Sequence, residues 1–238
     1  MALQRSSKLP RLGRYQLPPY RLLLLARKQI TDSFHRLFYN ASTEGGTWAD
    51  TRWLGVPLLK SPLDLWAYQE IVVETQPDLL IETGTYDGGS ALFFASLFDL
   101  LGRGRVVTVD VDEHEARPEH KRITYLSGSS VAPEILERMR TATAEAERVM
   151  VVLDSDHRCE HVLAELRAYG PLVSQGCYLV VEDTNVDGHP VLPGFGPGPL
   201  EAVERFLAED KRFEVDRLRE KFLVSFNACG FLRRRDDV

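Results

Sequence analysis

Acidic residues and a histidine follow two apolar runs of the chain. Asp154, Asp156 and His157 come directly after "VMVVL", and Glu182 and Asp183 come directly after "YLVV". If these runs are neighbouring parallel strands, about 4.8 Å apart, the carboxylates meet at one edge of the sheet. Carboxylates this close repel one another unless they are protonated or neutralised by a cation. We therefore predict that Asp154, Glu182 and Asp183 hold a hard divalent metal ion such as Mg²⁺.

His157 and Asp156 are the candidates for proton transfer beside this ion. An imidazole titrates near neutrality, and a divalent ion acidifies a hydroxyl group that it binds. We interpret His157 as the general base for such a hydroxyl, with Asp154 in the same catalytic group. Asp156 is the second candidate, either as the base or as the residue that orients His157. The structural alternative is that Asp156 and Asp183 are N-caps of the helices that follow them.

A glycine-rich turn, "IETGTYDGGS", covers residues 81–90. Its glycines let the backbone pass close to a ligand, and the next helix offers free N–H groups at its N-terminus. The spacing does not match the GxGxxG of dinucleotide-binding folds. Glu82 before the first glycine would repel a pyrophosphate but can hold a cationic group, and Asp110, at the end of the next apolar run, can bind both hydroxyls of a ribose. The candidate cofactor-binding residues are Glu82, Gly84, Thr85, Tyr86, Gly88, Ser90, Asp110 and Ser129.

Apolar segments alternate with amphipathic segments from Leu79 onward, which is typical of parallel strands joined by helices. A helix that precedes these strands is predicted to begin at Ser61 and Pro62. The chain is therefore predicted to be a doubly wound α/β fold with ligands at the carboxyl ends of its strands. The predicted parallel strands are 79–83, 105–110, 122–128, 149–154 and 177–183. Two closing strands are predicted within 212–218 and 221–234, at least one of them antiparallel.

A segment rich in glycine and proline, residues 185–199, follows the fifth strand. Loops of this length inside a compact domain are usually functional. We interpret this segment as a lid that faces the substrate, with Asn185, His189 and Phe195 as candidate contacts. A rigid surface connector is the alternative.

The charge of the chain is unevenly distributed. The 238 residues carry a net charge of -6, which argues against nucleic acid as a partner, yet residues 1–40 hold eight Lys/Arg and one acid. We divide the chain into a basic N-terminal arm, 1–45, with a hinge at 41–47, and a main domain, 46–238. The arm is either a positively charged extension or a contact for an anionic membrane surface or a neighbouring subunit.

The cysteines and the apolar runs bear on location. Three cysteines without a CxxC pair indicate a reducing compartment and no zinc site. The apolar run at residues 22–26 is too short for a signal peptide or a membrane span. We expect a cytoplasmic protein. Association of this protein with a membrane through the basic arm is the alternative.

Four stretches together resemble the cephalosporin hydroxylase family of class I S-adenosylmethionine-dependent methyltransferases. They are "KSPLDLWAYQE", "ETGTYDGGS", "LDSDH" and "YLVVEDTNVDGHPVLPGFGPGP", and the similarity runs from Trp48 to Arg233. Within the family the chain looks most similar to rhamnosyl and macrolide sugar O-methyltransferases. The resemblance implies a Rossmann-like fold with a mostly parallel seven-stranded sheet and an antiparallel closing strand. It also implies that the glycine turn and Asp110 hold S-adenosylmethionine, that the acidic cluster holds Mg²⁺, and that His157 is the base.

The function that follows is Mg²⁺-dependent O-methylation of a sugar hydroxyl, with a rhamnosyl group of a glycolipid or a glycosylated natural product as the expected substrate. A homo-oligomer is expected. One alternative is an oxidoreductase or hydroxylase acting on a small metabolite, against which stand the missing GxGxxG and the missing two-His facial triad. The other is a non-catalytic partner protein that retains the fold, against which stands the intact acidic cluster.

Overall fold

The computed structural model describes residues 26–44 and 46–236. The helices are α1 (Arg27–Asn40), α2 (Pro62–Thr75), α3 (Gly89–Leu101), α4 (Pro133–Ala144), α5 (Cys159–Tyr169) and α6 (Pro199–Glu209). The strands are β1 (Arg52–Trp53), β2 (Val56–Pro57), β3 (Leu79–Thr83), β4 (Arg105–Asp110), β5 (Ile123–Ser127), β6 (Val149–Leu153), β7 (Tyr178–Val181), β8 (Phe213–Val215) and β9 (Phe231–Arg234). Short 3-10 helices cover Ala41–Glu44, Thr47–Asp50, Gly170–Leu172 and Arg217–Glu220.

Seven strands form one sheet in the order β5-β4-β3-β6-β7-β9-β8, and β1 and β2 form a separate hairpin. Strands β3 to β7 pair in parallel. The closing strand β9 runs antiparallel to both of its neighbours and lies between β7 and the edge strand β8. This topology confirms the doubly wound, Rossmann-like fold predicted from the sequence.

Helices cover both faces of the sheet. Alternate side chains of each strand point to opposite faces and pack against these helices. In β3, Leu79 and Ile81 pack with residues of α4, α5 and α6, such as Met139. Leu80 packs on the other face with residues of α2 and α3, such as Phe94. The near-continuous apolar runs of the sequence are therefore strands buried on both sides.

The site is positioned by the reversal of strand order at β3. The chain moves from β3 outward to β4 and β5, and then returns to β6 on the other side of β3. In doubly wound sheets the crevice outside the carboxyl ends of the strands at such a reversal is where ligands bind. The glycine turn follows β3 and the acidic cluster follows β6 and β7, so both flank this crevice.

The prediction of a strand across 221–234 is wrong for its first part, because only Phe231–Arg234 is a strand. Asp64, from α2, holds the preceding segment as a loop. Its Oδ1 accepts a hydrogen bond from Ser225 Oγ at 2.6 Å, and its Oδ2 accepts one from the Phe226 N–H at 2.8 Å. Burial raises the pKa of Asp64 to about 7, and these two hydrogen bonds oppose the rise.

Helix α1, which belongs to the predicted basic arm, packs against the main domain. His35 stacks on Phe226 with ring centroids 5.4 Å apart, and Tyr39 contacts Phe226 and Trp48. The arm residues 1–25 lie outside the described residues, and the domain boundary at residue 45 stays a prediction. None of the helices within residues 26–44 and 46–236 is long and apolar enough to cross a bilayer.

Candidate active site

A cavity of about 610 Å³ opens at the carboxyl ends of the central strands. This volume lies within the range of small-molecule sites. The predicted residues that line it are Gly84, Thr85, Tyr86, Ser90, Asp110, Ser129, Asp154, Asp156, His157, Asp183 and Phe195. The structure thus brings the predicted cofactor turn and most of the predicted acidic cluster to one cavity. Gly88, Glu82 and Glu182 do not line it, and both glutamates are buried.

The glycine turn fits tightly between β3 and the residues after β6. Gly84 has a φ of 83°, and a Cβ on it would lie 1.9 Å from the Asp154 carbonyl oxygen. Gly88 is the N-cap of α3, also with a positive φ, and offers no side chain to the first turn of that helix. The first N–H groups of α3 therefore have no side-chain cap and can donate to a ligand. Gly84 allows the close packing, and the helix start fits a cofactor with polar groups.

Asp110 lies where the ribose of a nucleotide-type cofactor is expected. Its Oδ2 accepts a hydrogen bond from the Tyr86 N–H at 2.8 Å, and its Oδ1 accepts one from the Asp112 N–H at 3.1 Å. The Arg117 guanidinium is 3.6 Å away. A carboxylate oxygen has two lone pairs, so each oxygen retains capacity for a hydroxyl donor. The backbone thus fixes the carboxylate at the edge of the cavity in a form suited to a diol.

Glu82 supports the turn from behind rather than lining the cavity. The side chain is fully buried, and its Oε2 accepts a hydrogen bond from Thr108 Oγ1 at 2.8 Å. Burial raises the pKa of Glu82 to about 7, and the positive charge of Lys60 opposes the rise. Glu82 therefore does not line the cavity, and its predicted contact with the cofactor stays a prediction.

Asp154, His157 and Asp183 converge at the other end of the cavity. Each offers one ligand atom, and these atoms lie within 4.8 Å of one another. His157 Nε2 is 3.1 Å from Asp183 Oδ2. Burial raises the pKa of both carboxyl groups, with Lys60 opposing at Asp154 and His157 opposing at Asp183. Partly buried carboxylates of this kind are stabilised by a cation, and their donor set fits a divalent metal ion.

Lys60 is the residue of this site that the sequence reasoning missed. Its side chain is 4% exposed, and Nζ lies 2.6 Å from Asp154 Oδ2 and 2.6 Å from Glu182 Oε1. The Tyr68 hydroxyl donates to the same Glu182 oxygen at 2.7 Å. Burial alone would lower the pKa of Lys60, but the two carboxylates raise it above its ordinary value. The available signal was a single lysine in the otherwise apolar stretch "VPLLKSPL".

Glu182 therefore differs from the other two predicted metal ligands. Its Oε1 is held by Lys60 and Tyr68 behind the cavity, whereas Asp154 and Asp183 line the cavity. Asn227 extends this support, because its Nδ2 donates to the Tyr68 hydroxyl and its Oδ1 accepts from the Asp183 N–H, both at 3.3 Å.

Asp156 is turned toward Arg158 instead of His157. Its carboxylate accepts hydrogen bonds from the Arg158 N–H at 2.9 Å and from the Arg158 guanidinium at 3.1 Å. Despite partial burial these contacts lower the pKa of Asp156, which disfavours it as a base. The residue that contacts the His157 ring is Asp183, not Asp156 as expected. The N-cap alternative is wrong as well, because α5 has Arg158 as its N-cap and no helix directly follows Asp183.

The 185–199 segment contributes less to the cavity than predicted. Phe195 lines it, together with Val186 and Leu192. Asn185 is instead fully buried, with its Nδ2 3.0 Å from His35 Nε2. His189 Nε2 lies 2.8 Å from a carboxylate oxygen of α6. Asn185 and His189 thus hold the segment in place, and the prediction that they face the substrate is corrected.

Comparison with known families covers almost the whole main domain. The model of the family described as "Rhamnosyl O-methyltransferase/CmcI" matches residues 45–235. The chain belongs to this family. Membership confirms the resemblance seen in the sequence and the predicted class of enzyme, an O-methyltransferase. It favours that class over the oxidoreductase and the non-catalytic partner protein.

Two relatives from mycobacteria illustrate how far the similarity extends. The rhamnosyl O-methyltransferase of Mycobacterium leprae (strain TN) is 41% identical over 212 residues, which cover 87% of this chain and 91% of the relative. The rhamnosyl O-methyltransferase of Mycobacterium tuberculosis (strain H37Rv) is 40% identical over 213 residues, which cover 86% and 85%.

Two solved structures agree with this fold. CmcI with Mg and SAM has a TM-score of 0.62 and 21% identity, covering 83% of this chain and 84% of that one. The MycE methyltransferase of the mycinamycin pathway, with Mg, SAH and mycinamycin VI, has a TM-score of 0.52 and 20% identity, covering 71% and 48%. At these identities the likeness supports the shared architecture of the sheet and its helices.

Proposed function

We propose that this chain transfers the methyl group of S-adenosylmethionine to a hydroxyl of a rhamnosyl group in a Mg²⁺-dependent reaction. The observation that carries the proposal is the single cavity, which joins the glycine turn and Asp110 to Asp154, His157 and Asp183. The rhamnosyl substrate is supported by the names of relatives that are 40–41% identical over most of their length. The aglycone is proposed to be a lipid or another glycosylated natural product.

The residues divide into a cofactor end and a metal end. Asp110, the turn at Gly84 and the start of α3 would hold S-adenosylmethionine. Asp154 and Asp183 would hold Mg²⁺, with Glu182 as the third carboxylate through the oxygen that Lys60 and Tyr68 do not bind. Oxygen ligands suit this hard ion better than an imidazole. We therefore assign His157 to proton transfer rather than to the ion.

When bound, the cofactor supplies an electrophilic sulfonium methyl group and Mg²⁺ supplies a Lewis acid that acidifies the sugar hydroxyl. His157 would accept the hydroxyl proton at Nδ1, while Asp183 Oδ2, 3.1 Å from Nε2 on the other side of the ring, would orient the imidazole and stabilise the imidazolium that forms. The cavity walls hold the nucleophile and the methyl donor in line. Such positioning can supply about 7–11 kcal/mol of the barrier reduction. The hydroxyl oxygen would lose its proton to His157 and form its new bond to the methyl carbon, whose bond to sulfur breaks with the electron pair staying on sulfur.

The test is transfer of labelled methyl from S-adenosylmethionine to a panel of rhamnosides, with and without EDTA. We expect transfer that EDTA abolishes and added Mg²⁺ restores. Transfer that persists in EDTA would refute the metal requirement. Binding of S-adenosylhomocysteine without transfer to any rhamnoside would refute the sugar substrate and leave the enzyme class unchanged.

We also propose that the basic arm brings the protein to an anionic membrane surface. The charge of residues 1–40 supports this, as does one face of α1 on which Ile30, Phe34 and Leu37 are exposed. Co-flotation with vesicles should depend on anionic lipid and on low salt. Flotation with neutral vesicles alone would contradict it.

The expected homo-oligomer is tested separately by sedimentation velocity, in which a monomer would refute that prediction.

A further inference from the structure

We propose that Lys60 is a positioning residue that sets the charge of the metal site and makes it selective for divalent over trivalent ions. This inference rests on the metal site of the proposed function and adds a residue to which neither the acidic motif nor the family match assigns a role. Lys60 comes from the segment before α2, far in sequence from the acids that it contacts.

The geometry places Lys60 behind the acids instead of in the cavity. Its Nζ bridges Asp154 Oδ2 and Glu182 Oε1 at 2.6 Å each, and its side chain is 4% exposed. Lys60 is absent from the cavity lining, whereas Asp154 belongs to it. An ammonium in this position cannot reach a substrate in the cavity. It acts through the carboxylates that it fixes.

The charges in the cluster then decide which ion fits. Asp154, Glu182 and Asp183 are three carboxylates, and Lys60 is one ammonium, so these four groups together carry two negative charges. A divalent ion balances this charge. Without Lys60 the same carboxylates would carry three negative charges, which a trivalent ion balances better.

The distance makes the effect large. An ion bound to the carboxylate oxygens that Lys60 does not contact lies within about 7 Å of Nζ, given metal–oxygen distances of about 2.1 Å. At this separation and an effective dielectric constant of about 20, each added unit of ion charge is disfavoured roughly fiftyfold before the site relaxes. We therefore expect removal of the ammonium to change the preference between ions at least tenfold (roughly) after relaxation.

The experiment compares Mn²⁺ and Tb³⁺ binding by calorimetry in the full chain. The variants are Lys60→Met, Lys60→Gln, which keeps an N–H donor without the charge, and Lys121→Met as a matched surface control, since the Lys121 side chain is 75% exposed. S-adenosylhomocysteine binding reports whether each variant is folded. The ratio of Tb³⁺ to Mn²⁺ affinity should rise roughly tenfold or more in both Lys60 variants and stay unchanged in Lys121→Met.

An unchanged ratio in a folded Lys60 variant would overturn the inference, and so would an equal rise in Lys121→Met. The second Lys60 variant keeps the test decisive if Lys60→Met does not fold. Wild-type protein that binds Mn²⁺ but transfers no methyl group would refute the proposed reaction without affecting this comparison. Wild-type protein that binds neither ion would overturn the metal site and the role of Lys60 together.

Discussion

The docking of α1 on the main domain should depend on pH through one histidine. His35 is 5% exposed, stacks on Phe226, and has its Nε2 3.0 Å from Asn185 Nδ2. Burial lowers the pKa of His35 to about 4, with Asp32 opposing and Arg36 adding to the shift. Since Tyr39 of α1 and its partner Trp48 line the cavity, undocking of this helix would open one wall of the site.

The sign and size of the change in the docking free energy of α1 follow from the pKa values of His35 in the docked and undocked states. An imidazole released to solvent titrates at about 6.5, so the undocked state binds more protons than the docked state between about pH 6.5 and pH 4. The free energy of docking is therefore fully present above about pH 6.5 and falls as the pH is lowered. The loss is about 1.4 kcal/mol at pH 5.5 and approaches about 3.4 kcal/mol below pH 4.

The informative variant is His35→Phe. It keeps a ring against Phe226 and cannot be protonated, but it loses the contact with Asn185, which costs about 1 kcal/mol. Wild-type α1 should therefore be docked more stably than the variant at about pH 7.5 and no more stably at about pH 5.5. The two stability curves are expected to cross between these values.

Hydrogen–deuterium exchange of the α1 amides, corrected for the intrinsic effect of pH, measures this directly. Protection of wild-type α1 should fall roughly tenfold between about pH 7.5 and 5.5, while that of the variant stays constant. Amides of α3 are the internal control, because that helix carries no histidine. The same pH dependence in wild type and variant would refute the reasoning.

Four of the site residues give further predictions. Asp154→Asn should lower Mg²⁺ affinity and turnover by at least the roughly 10–100-fold typical of residues that support a metal, with S-adenosylhomocysteine binding retained in calorimetry. His157→Gln should lower kcat roughly 10²–10⁴-fold and remove the rising limb of the pH–rate profile; an unchanged profile would assign the base elsewhere. Asp110→Asn should weaken S-adenosylhomocysteine binding roughly tenfold or more without affecting Mn²⁺ binding. Gly84→Ala should destabilise the fold by about 2–5 kcal/mol, seen as a lower Tm, since its methyl group meets the Asp154 carbonyl.

The strands that were predicted well are those that the sequence marks without ambiguity. The bounds of β3 and β4 agree with prediction because strands buried on both faces appear as uninterrupted apolar runs. The prediction of a strand over 221–230 was wrong because an apolar run is not always a strand. The buried Val224 and Phe226 of this segment look like part of a strand, but they belong to a loop fixed by Asp64, a residue of a distant helix. Local patterns do not contain that contact.

The site shows the same division. Asp154 and Asp183 could be placed together because the carboxyl ends of adjacent parallel strands meet, which needs only the strand assignment. Lys60 and Tyr68 could not, since their contact with Glu182 depends on how α2 packs over the sheet. The predicted substrate contacts of Asn185 and His189 were wrong because these side chains contact α1 and α6 instead. The sequence of a polar loop does not indicate in which direction each side chain points.

The insertion of β9 between β7 and β8 has a consequence for the order in which the enzyme is made. The loop that leads into β9 supplies Asn227, whose amide oxygen accepts the hydrogen bond from the Asp183 N–H, 44 residues earlier in the chain. At translation rates of about 5–20 residues per second, Asp183 is synthesised roughly 2–9 s before its partner. During that interval β7 has a free edge and the carboxylates lack part of their support. The acids therefore emerge from the ribosome before the structure that holds them, and the nascent chain completes its site only after Asn227 has been synthesised.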